Sequence, residues 1–116
     1  MTRDLIIGLD AGTSVIKSVA FTLDGTQVGM VSRPNSYTCF GRGCVEQDMP
    51  RTWEDARQTL CDLSAVVPDL AERVAALAVT GQGDGCWLID AEGEPIGDGL
   101  IWLDSRAAEM AAIFVA

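Results

Sequence analysis

Leu5-Ile6-Ile7-Gly8-Leu9-Asp10-Ala11-Gly12-Thr13-Ser14 is the stretch on which the reading of this chain turns. Its first half, Leu5 to Leu9, is a short continuous apolar run, as expected of a central strand buried on both faces. Its second half, Asp10 to Ser14, reads as a tight polar turn. Val15, Val19 and Phe21 then mark a second strand with Lys17 among them. Asp24-Gly25 is a hairpin signal, and Thr26 to Arg33 returns as a third strand. The chain therefore opens with three consecutive antiparallel strands, which excludes a strand feeding directly into a helix at Gly12.

Residues 34–50 hold Pro34 and Pro50 and little periodicity, and read as a loop. A helix begins near Pro50, with Asp48 as N-cap and proline in the first turn. Trp53, Ala56, Leu60, Leu63 and Val67 recur at three- and four-residue steps on one face, and Pro68 ends the run. A helical turn over Asp69 to Arg73 leads into Val74 to Val79, whose unbroken apolarity predicts a fully buried strand. Gly81 to Gly85 is a glycine-rich turn. Cys86 to Asp90 and Leu100 to Leu103 read as short strands, with a turn over Asp90 to Gly93 between them. Asp104 or Ser105 suits the N-cap of a helix running from Ala107. That helix ends in an apolar run, Met110 to Ala116, without a C-cap or polar tail, so the chain is expected to be a fragment of a longer protein.

At 116 residues the chain is the length of one α/β domain, and too short for two domains with a cleft between them. Its 48% hydrophobic and 22% charged residues are globular, not disordered, values. With 8 basic against 17 acidic residues the net charge is -9. That argues against nucleic-acid or anionic-membrane partners, which need a basic face to displace counterions. Cys39, Cys44, Cys61 and Cys86 lack metal-ligand spacing and the chain has no histidine. The four are expected to be buried or half-buried thiols of a cytosolic protein. No apolar stretch is long enough for a signal peptide or a bilayer span, so a soluble, cytoplasmic protein is expected.

Three stretches can carry chemistry. Asp10-Ala11-Gly12-Thr13-Ser14 sets a carboxylate beside backbone N–H groups and two hydroxyls. Gly12 admits a phosphate close to the backbone, the N–H and hydroxyl groups of Thr13 and Ser14 can donate to it, and Asp10 can hold hydrated Mg²⁺. Lys17 adds a positive charge three residues on. An Asx-turn without any ligand fits the same residues. The stretch is not a P-loop, because no Gly-Lys-Ser/Thr follows. Gly81-Gln82-Gly83-Asp84-Gly85 has the wrong glycine spacing for a dinucleotide fingerprint. It presents Gln82 and Asp84 either to substrate hydroxyls or simply as a tight hairpin. Trp102 can stack on a sugar or polyol and Asp104 can bind a hydroxyl. A core tryptophan, an N-cap and a surface ion pair through Arg106 are equally compatible. Trp53 and Trp87 read as structural.

Four motifs occur in order: Gly8-Leu9-Asp10-Ala11-Gly12-Thr13-Ser14-Val15-Ile16-Lys17, Val45-Glu46-Gln47-Asp48, Val79-Thr80-Gly81-Gln82 and Ile101-Trp102-Leu103-Asp104-Ser105-Arg106. Together they resemble the amino-terminal portion of the FGGY carbohydrate kinases, over residues 5–112. The resemblance implies a ribonuclease-H-like domain of the actin/hexokinase/Hsp70 type, incomplete here, with residues 1–116 forming the leading part of the first of two domains. It implies ATP-dependent phosphorylation of a sugar or polyol hydroxyl in carbohydrate catabolism. ATP and Mg²⁺ are the implied cofactors, and a homodimer is the implied assembly of the whole protein. By this similarity Asp10 organises Mg²⁺, while Gly12, Thr13, Ser14 and Lys17 face the nucleotide phosphates. Gln82, Gly83, Asp84, Trp102 and Asp104 face the acceptor. The general-base Asp of the family is expected beyond Ala116, leaving no catalytic residue in this stretch and no activity for residues 1–116 alone.

The departures are informative. Glycerol kinases of the family show Gln-Arg-Glu and D-xylulose kinases Gln-Met-His where this chain has Gln82-Gly83-Asp84. Gly83 in place of a long side chain implies a wider or differently contacted acceptor pocket. Gln82-Gly83-Asp84-Gly85 with Trp87-Leu88-Ile89-Asp90 looks most like the erythritol and L-xylulose kinase branches. Asp10 to Ser14 also fits an actin- or Hsp70-like ATP-binding assembly or regulatory module, which has no need of the polyol floor that Gly81 to Asp84 make with Trp102, Asp104 and Arg106. A third reading is a stand-alone interaction domain, against which the uncapped apolar ending speaks.

Overall fold

The computed structural model describes residues 2–115, so Met1 and Ala116, the outermost residues of the sequence reading, lie outside the described residues. The opening hairpins form as expected. β1 (Leu5–Ala11), β2 (Val15–Thr22) and β3 (Gln27–Pro34) pair antiparallel in sequence order. β4 (Thr38–Phe40) and β5 (Cys44–Gln47) follow, then α1 (Met49–Val66), α2 (Leu70–Arg73) and β6 (Val74–Gly81). β7 (Gly99–Leu100) and α3 (Ala108–Val115) complete the order. β6 returns parallel to β1, giving a mixed sheet of order β3-β2-β1-β6, while β4-β5-β7 form a small second sheet.

Burial on β1 and β2 alternates with period two, so the expectation of a strand buried on both faces is corrected. Leu5, Ile7 and Leu9 point to one face, joined by Ile16, Ser18 and Ala20, and all six are buried. Ile6 and Asp10 point to the other face and are exposed. The buried face is covered by α1. Asp48 caps that helix by accepting the Arg51 N–H at 2.8 Å. Ala56 packs with Leu9 and Ile16, and Leu63 and Val67 pack with Leu5, Ile7, Ala20 and Leu70. One polar pair crosses this interface. Thr59 donates to the Ala56 carbonyl at 2.7 Å, so the buried Ser18 hydroxyl must donate to Thr59 Oγ1, also 2.7 Å away. Ion pairs from Arg33 on β3 to Asp55 and Asp62 on α1 clamp the rim of the same interface.

Several expectations yield to this packing. β6 is not fully buried: only Val74 is partly covered, because α1 lies across β2 and β3 while β6 sits beyond β1. Leu77 and Val79 are therefore exposed despite their apolarity. Trp53 leaves the helical stripe and is 72% exposed, since the α1 side chains that meet the sheet begin one turn later, at Ala56. Residues 34–50 are not only loop, for β4 and β5 form within them around a turn carrying Gly41 and Gly43 at positive φ. The strands expected at 86–90 and 100–103 shrink to β7 and two isolated bridges, Cys86 to Leu100 and Ile89 to Pro95. Within β7 the Trp87 ring lies where a Cβ on Gly99 would sit, so the ring packs there only against glycine.

α3 begins at Ala108, three residues after Ser105, and none of its side chains is buried. Cys39, Cys61 and Cys86 are exposed and only Cys44 is half-buried, so the expected thiol burial does not hold. No helix among the described residues is long and apolar enough to cross a membrane.

Gly29 lets β3 approach α1. A Cβ there would lie 2.4 Å from Val67 Cγ2 and 3.4 Å from Leu63 Cδ1. Gly29→Ala is expected to cost about 1–3 kcal/mol by overpacking, measured by urea unfolding. In a Val67→Ala background, which removes the clashing methyl, most of that cost should disappear. Equal costs in both backgrounds would mean that the approach is not limited by Val67.

Candidate active site

β1 and β6 run side by side in the same direction, with Asp10 opposite Thr80 and Ala11 opposite Gly81. Their carboxyl ends therefore deliver two turns, residues 12–14 and 82–85, to one edge of the sheet. Crevices at such strand ends are the usual ligand sites of parallel α/β sheets. The Gln82 N–H continues the ladder by donating to the Ala11 carbonyl at 3.2 Å.

The first turn is closed by the Gly12 N–H, which donates to the Val15 carbonyl at 3.0 Å. A Cβ on Gly12 would approach that oxygen to 2.8 Å, so glycine is needed there for closeness. Buried Asn35, just past β3, straddles the turn. Its backbone N–H donates to the Ser14 carbonyl at 2.8 Å and its Nδ2 to the Gly12 carbonyl at 2.9 Å. The Thr52 hydroxyl of α1 lies between two acceptors, the Asp48 carbonyl at 2.9 Å and Asn35 Oδ1 at 3.3 Å, and shares its one proton between them. At the end of β5, Gln47 is 1% exposed, and its Nε2 donates to the carbonyls of Thr13 at 3.1 Å and Ser36 at 3.3 Å.

Between the two turns lies an open cleft of about 360 Å³. Asp10, Gly12 and Thr13 form one side, and Gly81 to Asp84 form the other, with Trp102 at the edge. The Trp102 ring is 54% exposed and its Nε1 donates to Thr13 Oγ1 at 2.8 Å, which fixes the indole over the cleft while leaving much of it accessible. A Cβ on Gly83 would meet nothing within 4 Å, so this position adds no wall. Asp84 adopts the left-handed conformation at φ 57, which aspartate tolerates better than most residues.

Six expected site residues, Asp10, Gly12, Thr13, Gln82, Gly83 and Asp84, thus meet in one cleft, with Trp102 as the seventh. The other three stand outside its lining. Ser14 is exposed beyond Thr13, its carbonyl held by Asn35. Lys17 lies opposite Asp10 across the β1–β2 pair. It borders a neighbouring hollow of about 260 Å³ on the open face of the sheet, with Val19, Phe21 and Ala78, and Asp10 lines both that hollow and the cleft. Asp104 is turned away from the acceptor side. Its Oδ2 accepts the Val45 N–H at 2.7 Å and the Arg106 guanidinium at 2.7 Å, while Arg106 also reaches Glu46 at 2.8 Å. Nor is Asp104 the N-cap of α3, which starts later. Gln82 sits in the cleft, but its Oε1 accepts from Thr13 Oγ1 at 3.1 Å and its Nε2 donates to Gln47 Oε1.

Asn35, Gln47 and Thr52 are the residues that sequence reasoning missed as site supports. Gln47 stands inside the Val45-Glu46-Gln47-Asp48 motif, and that was its one available signal. For a bound cation the donor set is specific in what it fits. Among the described residues no cluster of three or more ligating side chains occurs, so an all-protein cage does not form. One exposed carboxylate, Asp10, with a second across the cleft, Asp84, suits Mg²⁺, which keeps its waters and takes few carboxylates alongside phosphate oxygens.

The Arg106 guanidinium, with help from the Val45 N–H, pulls the Asp104 carboxyl down from its ordinary 3.8 to about 2. A carboxyl depressed by folding contributes stability that is whole above its ordinary value and lost as pH falls through its folded value. Asp104→Asn is therefore expected to lower the thermal midpoint at pH 7. The gap from the parent should close as pH falls from about 4 to about 2. A gap that persists at pH 2 would place the effect elsewhere than in this ion pair.

Comparison with known proteins adds four findings. The family description "FGGY family of carbohydrate kinases, N-terminal domain" matches residues 5–115. A protein of Brucella abortus named erythritol kinase is 51% identical over 105 residues, covering 90% of this chain and 20% of its own length. The crystal structure of xylulose kinase from Rhodospirillum rubrum superposes with a TM-score of 0.89 at 27% identity, over 96% of this chain and 23% of that one. A Plasmodium falciparum glycerol kinase solved with ADP has the same fold, with a TM-score of 0.80 at 18% identity, over 97% of this chain and 23% of that one. The mixed α/β sheet is thus part of the actin/hexokinase-like, ribonuclease-H-like fold of these kinases. The chain spans about a fifth of the length of the curated relatives it matches.

Proposed function

Because the chain belongs to the FGGY family of carbohydrate kinases, we propose that the protein carrying it transfers the γ-phosphoryl group of ATP to a hydroxyl of a sugar or polyol. Erythritol-like four-carbon polyols come first as acceptors, and ketopentoses such as xylulose second. The observation that carries this reading is the cleft in which Asp10 and the Gly12-Thr13 turn face the Gly83-Asp84 floor. The share of identity with the Brucella erythritol kinase supports the order of acceptors.

In this reading Asp84 accepts a hydrogen bond from an acceptor hydroxyl, and the exposed Trp102 face packs on the carbon chain. The bare Gly83 leaves room that a longer side chain would fill. Gly12 permits close approach of phosphate to backbone, and Thr13, Ser14 and Lys17 lie toward the nucleotide side, Lys17 as a charge on the open face. Asp10 would hold Mg²⁺ through its waters. When bound, Mg²⁺ neutralises charge that builds on the phosphoryl oxygens during transfer. The bond from the acceptor oxygen to the γ-phosphorus forms as the bond to ADP breaks. The hydroxyl proton goes to a general-base Asp expected beyond residue 116. Residues 1–116 are then the leading part of the first of two domains, and the whole protein works in carbohydrate catabolism in the cytoplasm, as a homodimer.

The test is a screen of the whole protein with ATP and Mg²⁺ against erythritol, D- and L-xylulose, glycerol and ribulose, following ADP release. Erythritol is expected to give the highest kcat/KM. Turnover of none of these acceptors would remove the kinase reading. Residues 1–116 alone are expected to phosphorylate none of them. Asp84→Asn in the whole protein should lower acceptor kcat/KM about 10- to 100-fold, the range for losing a charged hydrogen bond to a substrate hydroxyl. The KM for ATP should stay near the parent value.

A further inference from the structure

Gln47, behind the cleft, closes a ring of hydrogen bonds with Gln82 and Thr13 of its walls, one bond running to the Thr13 backbone carbonyl, and the sense of every bond in it is determined. Gln47 Nε2 faces two backbone carbonyls, Thr13 O and Ser36 O, which can only accept. That places Gln47 Oε1 toward Gln82, so Gln82 must present its Nε2 there. Gln82 Oε1 is then left facing Thr13, whose hydroxyl donates to it at 3.1 Å. The Thr13 oxygen is left with lone pairs, and one of them takes the Trp102 Nε1–H at 2.8 Å. Among the described residues no buried side-chain nitrogen or oxygen lacks a partner.

The ring joins elements that the chain otherwise connects only at a distance. Thr13 belongs to the turn after β1, Gln82 to the turn after β6, Gln47 to the small second sheet and Trp102 to the segment after β7. Gln47 does not line the cleft and is 1% exposed, so it touches no ligand. Burying a primary amide is costly unless both its ends are paired. Here both ends are paired, and their partners are the two walls of the cleft.

We propose that Gln47 is a positioning residue for phosphoryl transfer, holding the acceptor turn through Gln82 and the phosphate turn through Thr13 at one fixed separation. The inference rests on the kinase reading and extends it, since the residue acts on the geometry of the reaction rather than on either substrate. It also assigns Gln82 to the same device, because both of its amide atoms are engaged by protein. Transfer between two bound groups depends on their mutual placement, and an error of about 1 Å costs on the order of 100-fold in rate.

The experiment uses the whole protein with ATP, Mg²⁺ and the best acceptor of the screen. Gln47→Met keeps the volume of the side chain and removes its bonds. It is expected to lower kcat about 10- to 100-fold per nucleotide-binding site, with KM for acceptor and ATP each within about threefold of the parent. Gln82→Met, at the half-exposed rim, should give the same split and serves if Gln47→Met does not fold. Unchanged kcat in the folded variant overturns the proposal while leaving the kinase reading intact. A raised acceptor KM at unchanged kcat for Gln82→Met also overturns it, since that marks a direct acceptor contact. If the parent phosphorylates nothing, the kinase reading fails separately, and the ring is judged by amide hydrogen exchange without ligands. Exchange in residues 12–14 and 81–84 should then accelerate about tenfold in Gln47→Met, and unaltered protection there overturns the proposal.

Discussion

The parallel pairing of β1 with β6 is the constraint on which the rest of the structure depends. Antiparallel neighbours alone would send the Asp10 to Ser14 turn and the Gly81 to Gly85 turn to no common place. A parallel pair in register, Asp10 beside Thr80 and Ala11 beside Gly81, brings both turns off the same edge. Parallel strands cannot be joined by a short turn. After β2 and β3 the chain spends residues 35–73 on reaching β6, and the longest element of that connection is the α1 helix that buries the sheet's inner face. The core and the cleft are therefore products of one connection.

The supports of the cleft come from that same crossover. Asn35, Gln47 and Thr52 lie along it, before and within the start of α1, and each reaches the turn after β1 directly or through another. Buried amides in such a position demand full pairing, because a half-satisfied amide in low dielectric is worse than an apolar side chain. This is why the polar residues behind the cleft are glutamine and asparagine, which donate and accept at once. Carboxylates, which only accept when ionised, stand at the exposed front as Asp10 and Asp84.

Much of the fold was legible in advance for local reasons. The three leading antiparallel strands, the Asp24-Gly25 hairpin, the Asp48 cap and the Pro68 stop each depend on a few neighbouring residues, and each formed as expected. The misreadings were of tertiary origin. Apolarity in Val74 to Val79 does not reveal that the covering helix lies over β2 and β3 instead. Helical spacing at Trp53 does not reveal where the helix meets the sheet. Asp104 carries the same carboxylate whether it meets a hydroxyl or Arg106, and only the arrival of Val45 beside it decides the matter.

The amino-acid sequence by itself determined the three leading strands, the α1 helix, the two glycine-bearing turns and the membership in a kinase family, because these are written in spacing and in residues few positions apart. Tertiary structure alone decided which of the candidate residues share a cleft. It drew Asp10, Gly12, Thr13, Gln82, Gly83, Asp84 and Trp102 together, left Lys17 on the open face of the sheet, and turned Asp104 to Arg106. It also set Gln47 behind the cleft, where a hydrogen-bond ring closes among residues 35 and 69 positions apart in the chain. Such a ring has no sequence signal, since its bonds exist only once β1 and β6 lie side by side.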